Sequence, residues 1–300
     1  MTTELERPEQ SHQPRWRQTL SVLLSNRLAA FGMVVLLLLV VVALFGDLLM
    51  RYGINEQNLA NRFAPPSWAH WFGTDDLGRD IYSRVVAGAR VSLQVGAVAV
   101  GISLVAGTLI GLIAGYRGGW LDAALMRTMD VLFAFPVILL AIALVAVLGP
   151  SLRNTMIAVG IVFTPIFARV VRGSVLSVRE DLHVRAVRSL GAGDGRIILR
   201  HVLPNVAAPV IVQASLSLAF AILTEAALSY LGVGVQRPQP AWGLMLSDAQ
   251  RFQAQGWWLS VFPGLAIFLT VMAFNLVGDG LRDALDPQQR SVIESRGAGG

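Results

Sequence analysis

The sequence predicts an all-α integral membrane protein with six transmembrane helices, on three observations. Hydrophobic residues fill 54% of the 300 positions and charged residues only 14%, against about 25% charge in an ordinary soluble domain. Apolar runs long enough to cross a bilayer recur along the chain, about 20 residues being needed at 1.5 Å rise per residue. One long polar interval, residues 174–205, separates them into two groups.

Composition also removes classes of function. Cysteine is absent, which excludes disulfides, thiolate catalysis and Cys-based metal sites. Every one of the 24 basic residues is Arg, so the Lys that a standard P-loop places against the β- and γ-phosphates is missing. Any ATP and its Mg²⁺ are expected on a separate subunit. The net charge of +5 is read as cytoplasmic loops and contact with membrane lipid, not nucleic acid. Neither HExxH nor GxSxG occurs, and His12, His70, His183 and His201 are scattered. No catalytic, cofactor-binding or metal-ligating residue is assigned.

Residues 1–26 read as a cytoplasmic tail, because Arg15, Arg17 and Arg27 precede the first apolar run and no cleavage site follows it. Leu28–Leu49 is the first span. The segment to Arg90 is expected outside, with Asp75, Asp76 and Asp80 pairing with Arg79, Arg84 and Arg90 and lacking the spacing of an EF-hand Ca²⁺ loop. Val91–Gly115 is the second span, and Gly107, Gly111 and Gly115 mark one face for close helix packing. Tyr116–Asp122 turns. Ala123–Leu148 is the third span, with Arg127 expected to pair with Asp130 three residues on and Pro136 inside it. Thr155–Val171 is the fourth, kinked at Pro165 and closed by Arg169 and Arg172.

Val206–Tyr230 is the fifth span and carries Glu225 near its outer end. Leu231–Gly256 is expected to be irregular, given Gly232, Gly234, Pro238 and Pro240. Trp257–Val277 is the sixth span, anchored by Trp257 and Trp258 at the interface. The segments are therefore 1–26, a first helix and outer stretch over 27–90, a five-helix core over 91–286 and a tail over 287–300, with both termini cytoplasmic. Glu225 and Asp130 are the candidates for a cargo path or gate.

The polar interval has a shape of its own. Ser177–Glu180 has the form of a capping box and predicts a helix running to about Leu190. Leu182, Ala186 and Leu190 fall on one stripe at four-residue spacing, with Arg179, Arg185 and Arg188 largely elsewhere. Gly191 suits the left-handed position that ends a helix, and Asp194 is expected to cap a second short helix through Ile197, Ile198 and Val202 that Pro204 stops. The result is a rigid two-helix knob suited to transmitting force; a solvated loop is the alternative.

At these residues the chain resembles the permease subunits of binding-protein-dependent ABC importers, whose cytoplasmic loop carries Glu-Ala-Ala, three residues, Gly and a later Leu-Pro. Here Arg185-Ala186-Val187, Gly191 and Leu203-Pro204-Asn205 stand in that pattern, with Arg185 in place of Glu and Val187 in place of the second Ala. Stretches 72–80 (FGTDDLGRD), 225–232 (EAALSYLG) and 278–287 (GDGLRDALDP) are similar to the second permease of the dipeptide, oligopeptide and nickel branch. The resemblance implies a type I importer permease (MetI-like) fold, paired with a second homologous permease, two ATPase subunits and an extracytoplasmic solute-binding protein. It implies a coupling helix meeting the ATPase through Arg185, Ala186, Val187, Ser189, Leu190, Gly191, Ala192 and Asp194. Peptides, nickel chelates or other small solutes are the implied cargo classes. A self-sufficient channel or ion-coupled transporter is the competing class.

Overall fold

The computed structural model describes residues 22–285; the expectations for the first 21 residues and for 286–300 lie outside the described residues. Five helices are long and apolar enough to span a membrane, and a sixth span is made by a bent pair. The long helices are α1 (Arg27–Leu49), α2 (Ile81–Arg117), α5 (Leu152–Val178), α8 (Leu203–Tyr230) and α10 (Trp258–Leu285). The bent pair is α3 (Gly119–Phe133) and α4 (Val137–Leu148). Short helices α6 (Leu182–Ser189) and α7 (Asp194–Ile197) form the polar interval, and α9 (Trp242–Gln250) precedes α10.

Three of the long helices start on a side-chain cap. The Asn26 side chain accepts from the backbone N–H groups of Leu28 and Ala29, Asp80 from Ser83 and Ser151 from Asn154. These satisfy donors that no preceding helical carbonyl reaches. α2 and α5 then pack with their backbones nearly touching. A Cβ on Gly107 would stand 2.5 Å from Phe167 Cβ, one on Gly111 would stand 2.6 Å from the Ala168 carbonyl oxygen, and one on Gly115 would stand 2.9 Å from Val175 Cβ. Close backbone approach supplies the van der Waals contact that drives helices together in lipid. Ala99, Val159, Phe163, Phe167 and Leu228 fill the centre of this bundle. α1 is the least buried of the five unbroken spans, with 11% of its most apolar window buried.

Four expectations need correction. The third span is not a continuous helix: α3 ends at Phe133 and α4 starts at Val137, bent by 94°. Pro136 sits at the break, where it lacks an N–H to continue the ladder and its ring excludes the preceding turn. Leu231–Gly256 is not wholly irregular, since α9 forms within it and buries Trp242, Leu244, Met245 and Ala249. The Trp242 indole donates to the Val85 carbonyl at 2.9 Å, which fixes the helix on α2.

The capping box is absent, because Ser177 lies inside α5 and the residue before α6 is Asp181, which makes no side-chain cap. Pro204 does not stop a helix. A widened π-turn over Ile198–Val202 joins α7 to α8 and makes one 37-residue rod, Asp194–Tyr230, with Pro204 in the first turn of α8. The widened turn gives the proline ring room and dispenses with the bond it cannot make.

Candidate functional site: a platform at one end of the bundle

The platform is α6, α7 and the turn between them. Its inner face is apolar: Val184, Ile197, Val202 and Val206 pack with Leu112 and Tyr116 of α2 and Val171 and Val175 of α5. Polar bonds fasten the same face. Tyr116 donates its hydroxyl to Asp194 Oδ1 at 2.7 Å, and Arg179 Nη1 donates to the Gly115 carbonyl at 2.8 Å. The Arg188 guanidinium lies 5.4 Å over the Tyr116 ring; its pKa is raised further above the ordinary Arg value, first by the Tyr116 oxygen.

Gly191 takes φ +81°, a left-handed conformation that costs glycine little. The Gly191 and Ala192 N–H groups return to the Arg188 and Val187 carbonyls, which closes the end of α6 and turns the chain into α7. The outer face is the opposite of the inner one. Leu182 is 83% exposed and Leu190 is 86% exposed, with Arg185, Ala186 and Ser189 beside them also exposed. The stripe read from the sequence thus points away from the bundle, while Val184 and the half-buried Val187 hold the helix down. Asp194 serves as an acceptor for Tyr116 instead of a cap: the N-cap position belongs to Gly193.

Ion pairs lock the platform end to the bent span. Arg172 makes a two-bond fork to Asp122 at 2.6 and 2.7 Å. Asp130 pairs with Arg169 of α5 at 2.8 Å, not with Arg127, because the interhelical guanidinium reaches it directly. Asp130 is therefore a clamp between α3 and α5. Glu225 lies near the end of the fifth span, where the sequence put it, closed in by its neighbours. It is fully buried, its Oε1 accepting from Ser229 at 2.7 Å and its Oε2 standing 3.4 Å from the Ser92 hydroxyl, so it faces the packing between α2 and α8 and no open path. Tyr116, Arg179 and the Arg172–Asp122 fork escaped the sequence reading, because each acts across 50 or more residues of chain.

At the other end of α2 the acidic string folds on itself. Arg79 Nε meets Asp75 at 2.7 Å, His70 Nδ1 lies 3.0 Å from Asp80, and Arg90 reaches Asp47 instead of the string. Burial, followed by the Asp75 charge, pushes Asp76 above the usual carboxylate range. Among the described residues no group of three or more His, Cys, Asp or Glu is placed to hold a metal ion. His183 and His201 stand with ring centroids 6.3 Å apart.

The chain is thus a multi-span helical bundle with a two-faced knob at one end. The chain belongs to the family described as binding-protein-dependent transport system inner membrane component, whose model matches residues 107–291. Residues 14–66 match the N-terminal transmembrane domain of oligopeptide transport permease C. The chain is 51% identical to the dipeptide transport system permease protein DppC of Alkalihalophilus pseudofirmus, over 92% of this chain and 91% of that one. It is 45% identical to the glutathione transport system permease protein GsiD of Pectobacterium atrosepticum, over 92% of each chain. With GsiD of Escherichia coli O157:H7 it shares 47% identity, over 95% of this chain and 94% of that one. In fold it is similar to the MetNI methionine ABC transporter in an inward-facing conformation, at a TM-score of 0.56 and 18% identity, over 68% of this chain and 96% of that chain. The chain is thus a multi-pass inner-membrane permease subunit of a binding-protein-dependent importer.

Proposed function

We propose that this chain forms half of the translocation pore of an ATP-driven importer for dipeptides or similarly small peptides such as glutathione. A second homologous permease supplies the other half, and two ATPase subunits hold the ATP and Mg²⁺ that this Lys-free chain has no P-loop to bind. The platform is the coupling element: Leu182, Ala186, Leu190 and Arg185 seat in the ATPase, and the buried face passes its displacement to α2 and α5. Both termini lie on that cytoplasmic side, in keeping with the contact of α1 near its start (Ala29) with α10 near its end (Gly280).

The single observation that carries the reading is the two-faced platform, whose inner side is packed and bonded while large leucines stand bare on the outer side. Exposed leucines on a rigid, basic knob mark a protein contact. The cysteine-free sequence gives a clean test. Leu190→Cys is expected to cross-link to a cysteine introduced in the ATPase cleft, in a nucleotide-dependent way; absence of any cross-link from Leu182, Ala186 or Leu190 positions would refute the docking. Arg185→Glu is expected to lower transport-coupled ATP hydrolysis several-fold, since in this reading Arg185 meets an acidic group on its ATPase where the family's Glu would meet a donor or base. An unchanged rate would remove Arg185 from the interface.

A further inference from the structure

The strongest unassigned feature lies between α1 and α2, at the end of α2 remote from the platform. Two adjoining cavities share Ala43, Arg90 and Gln94. One, about 250 Å³, runs under Gln239 and Pro240 of the loop before α9. The other, about 410 Å³, opens along Val40, Leu44 and Leu93, on the side of the least buried span.

A charge pair stands where the cavities meet. Arg90 Nε donates to the Ala43 carbonyl at 2.9 Å, and Nη2 donates to Asp47 Oδ2 at 3.2 Å. Ala43 precedes the end of α1 at Leu49 by about 9 Å along the axis at 1.5 Å per residue. With the bilayer boundary set at the end of α1, that is headgroup-to-acyl depth. The pair is open, with Arg90 50% and Asp47 70% exposed. Among the described residues, Arg90 Nη1 and Asp47 Oδ1 make no hydrogen bond. A donor pair and a carboxylate oxygen remain side by side above an apolar groove.

We propose that this is a binding site for a phospholipid with a primary-amine headgroup. The lipid phosphate accepts from Arg90 Nη1, its ammonium donates to Asp47 Oδ1, and an acyl chain lies along Val40, Leu44 and Leu93. Both bonds are charge-assisted. Charge complementarity selects the occupant. A wholly anionic headgroup meets the Asp47 charge, and a quaternary choline has no N–H for the carboxylate.

The test titrates the delipidated full-length chain in detergent with dioleoyl phosphatidylethanolamine, phosphatidylcholine and phosphatidylglycerol, read by native mass spectrometry. The ethanolamine lipid is expected to be held about tenfold more tightly than either competitor, a factor equal to ~1.4 kcal/mol. Asp47→Asn is expected to erase the preference and Arg90→Gln to release the lipid. Leu93→Trp fills the groove away from the pair and is expected to release it too, which keeps the test decisive if a charge variant fails to fold. Equal retention of the three lipids, or retention unchanged by Arg90→Gln and Leu93→Trp, overturns the proposal. So does loss of the preference on assembly with the second permease, the groove then being a subunit contact.

Discussion

The two ends of α2 are built on opposite principles. At its start, Thr74, Arg79, Asp80, Ser83 and Arg84 are all buried and polar, and each is satisfied locally: Thr74 donates to the Asn61 carbonyl, Arg79 to Asp75, Arg84 to the Ile54 carbonyl and Ser83 to Asp80. Asp80 alone caps the helix through Ser83 N–H at 2.8 Å, accepts from the Ser83 hydroxyl at 2.8 Å and meets His70. At its finish, the platform spends few polar bonds on the bundle and keeps only Val184 of α6 fully buried. The buried groups at the first end are already paired and desolvated, whereas the platform leaves large leucines exposed on a rigid base.

The comparison can be broken at several strengths. Gly78 takes φ +71°, and a Cβ there would run into the Asn58 carbonyl; Gly78→Ala is expected to cost about 3 kcal/mol or more from backbone strain and clash, read as a large fall in melting temperature and yield. Equal stability would show that the first end is not held as tightly as its packing indicates. The double change Leu182→Asp with Leu190→Asp is expected to leave melting within about 0.5 kcal/mol, as for exposed sites, yet to reduce transport by about tenfold. If melting falls instead, the outer face of α6 belongs to the fold.

A smaller effect tests the fastening of the platform. Tyr116→Phe removes the bond to Asp194 and is expected to cost about 1 kcal/mol, with a matching loss of protection in amide exchange over residues 182–203. The smallest concerns Asp76. Its pKa is raised in the fold, so the folded state binds more protons there than the unfolded chain. Stability from this group is fullest below the unfolded value near 3.8 and falls as pH rises through the folded one. Asp76→Asn is expected to flatten that part of the melting profile and to leave melting at neutral pH unchanged or slightly higher.

How much of this could be read from the chain differs by element. The first span needed only local information, since a run such as Leu28–Leu49 declares itself by length and hydropathy. The bent span did not, although Pro136 was visible. Pro165 and Pro263 stay inside helices while Pro136 breaks one, because neighbouring helices decide whether a freed carbonyl can be re-satisfied. Helix α9 was hidden among prolines and glycines, and its stability comes from burying Trp242 against α2, a contact 157 residues away in sequence.

The sequence by itself determined the membrane class, the family pattern around Arg185 and Gly191, and the glycine face at Gly107, Gly111 and Gly115. Those follow from composition and short-range spacing, which the chain carries in any conformation. Only the tertiary structure decided that Leu182 and Leu190 face outward, that Asp130 belongs to Arg169, that Glu225 is sealed between α2 and α8, and that Arg90 and Asp47 stand open over an apolar groove. Partner choice between charges and the facing of a short helix depend on which spans pack together, and that is settled only when the whole bundle closes.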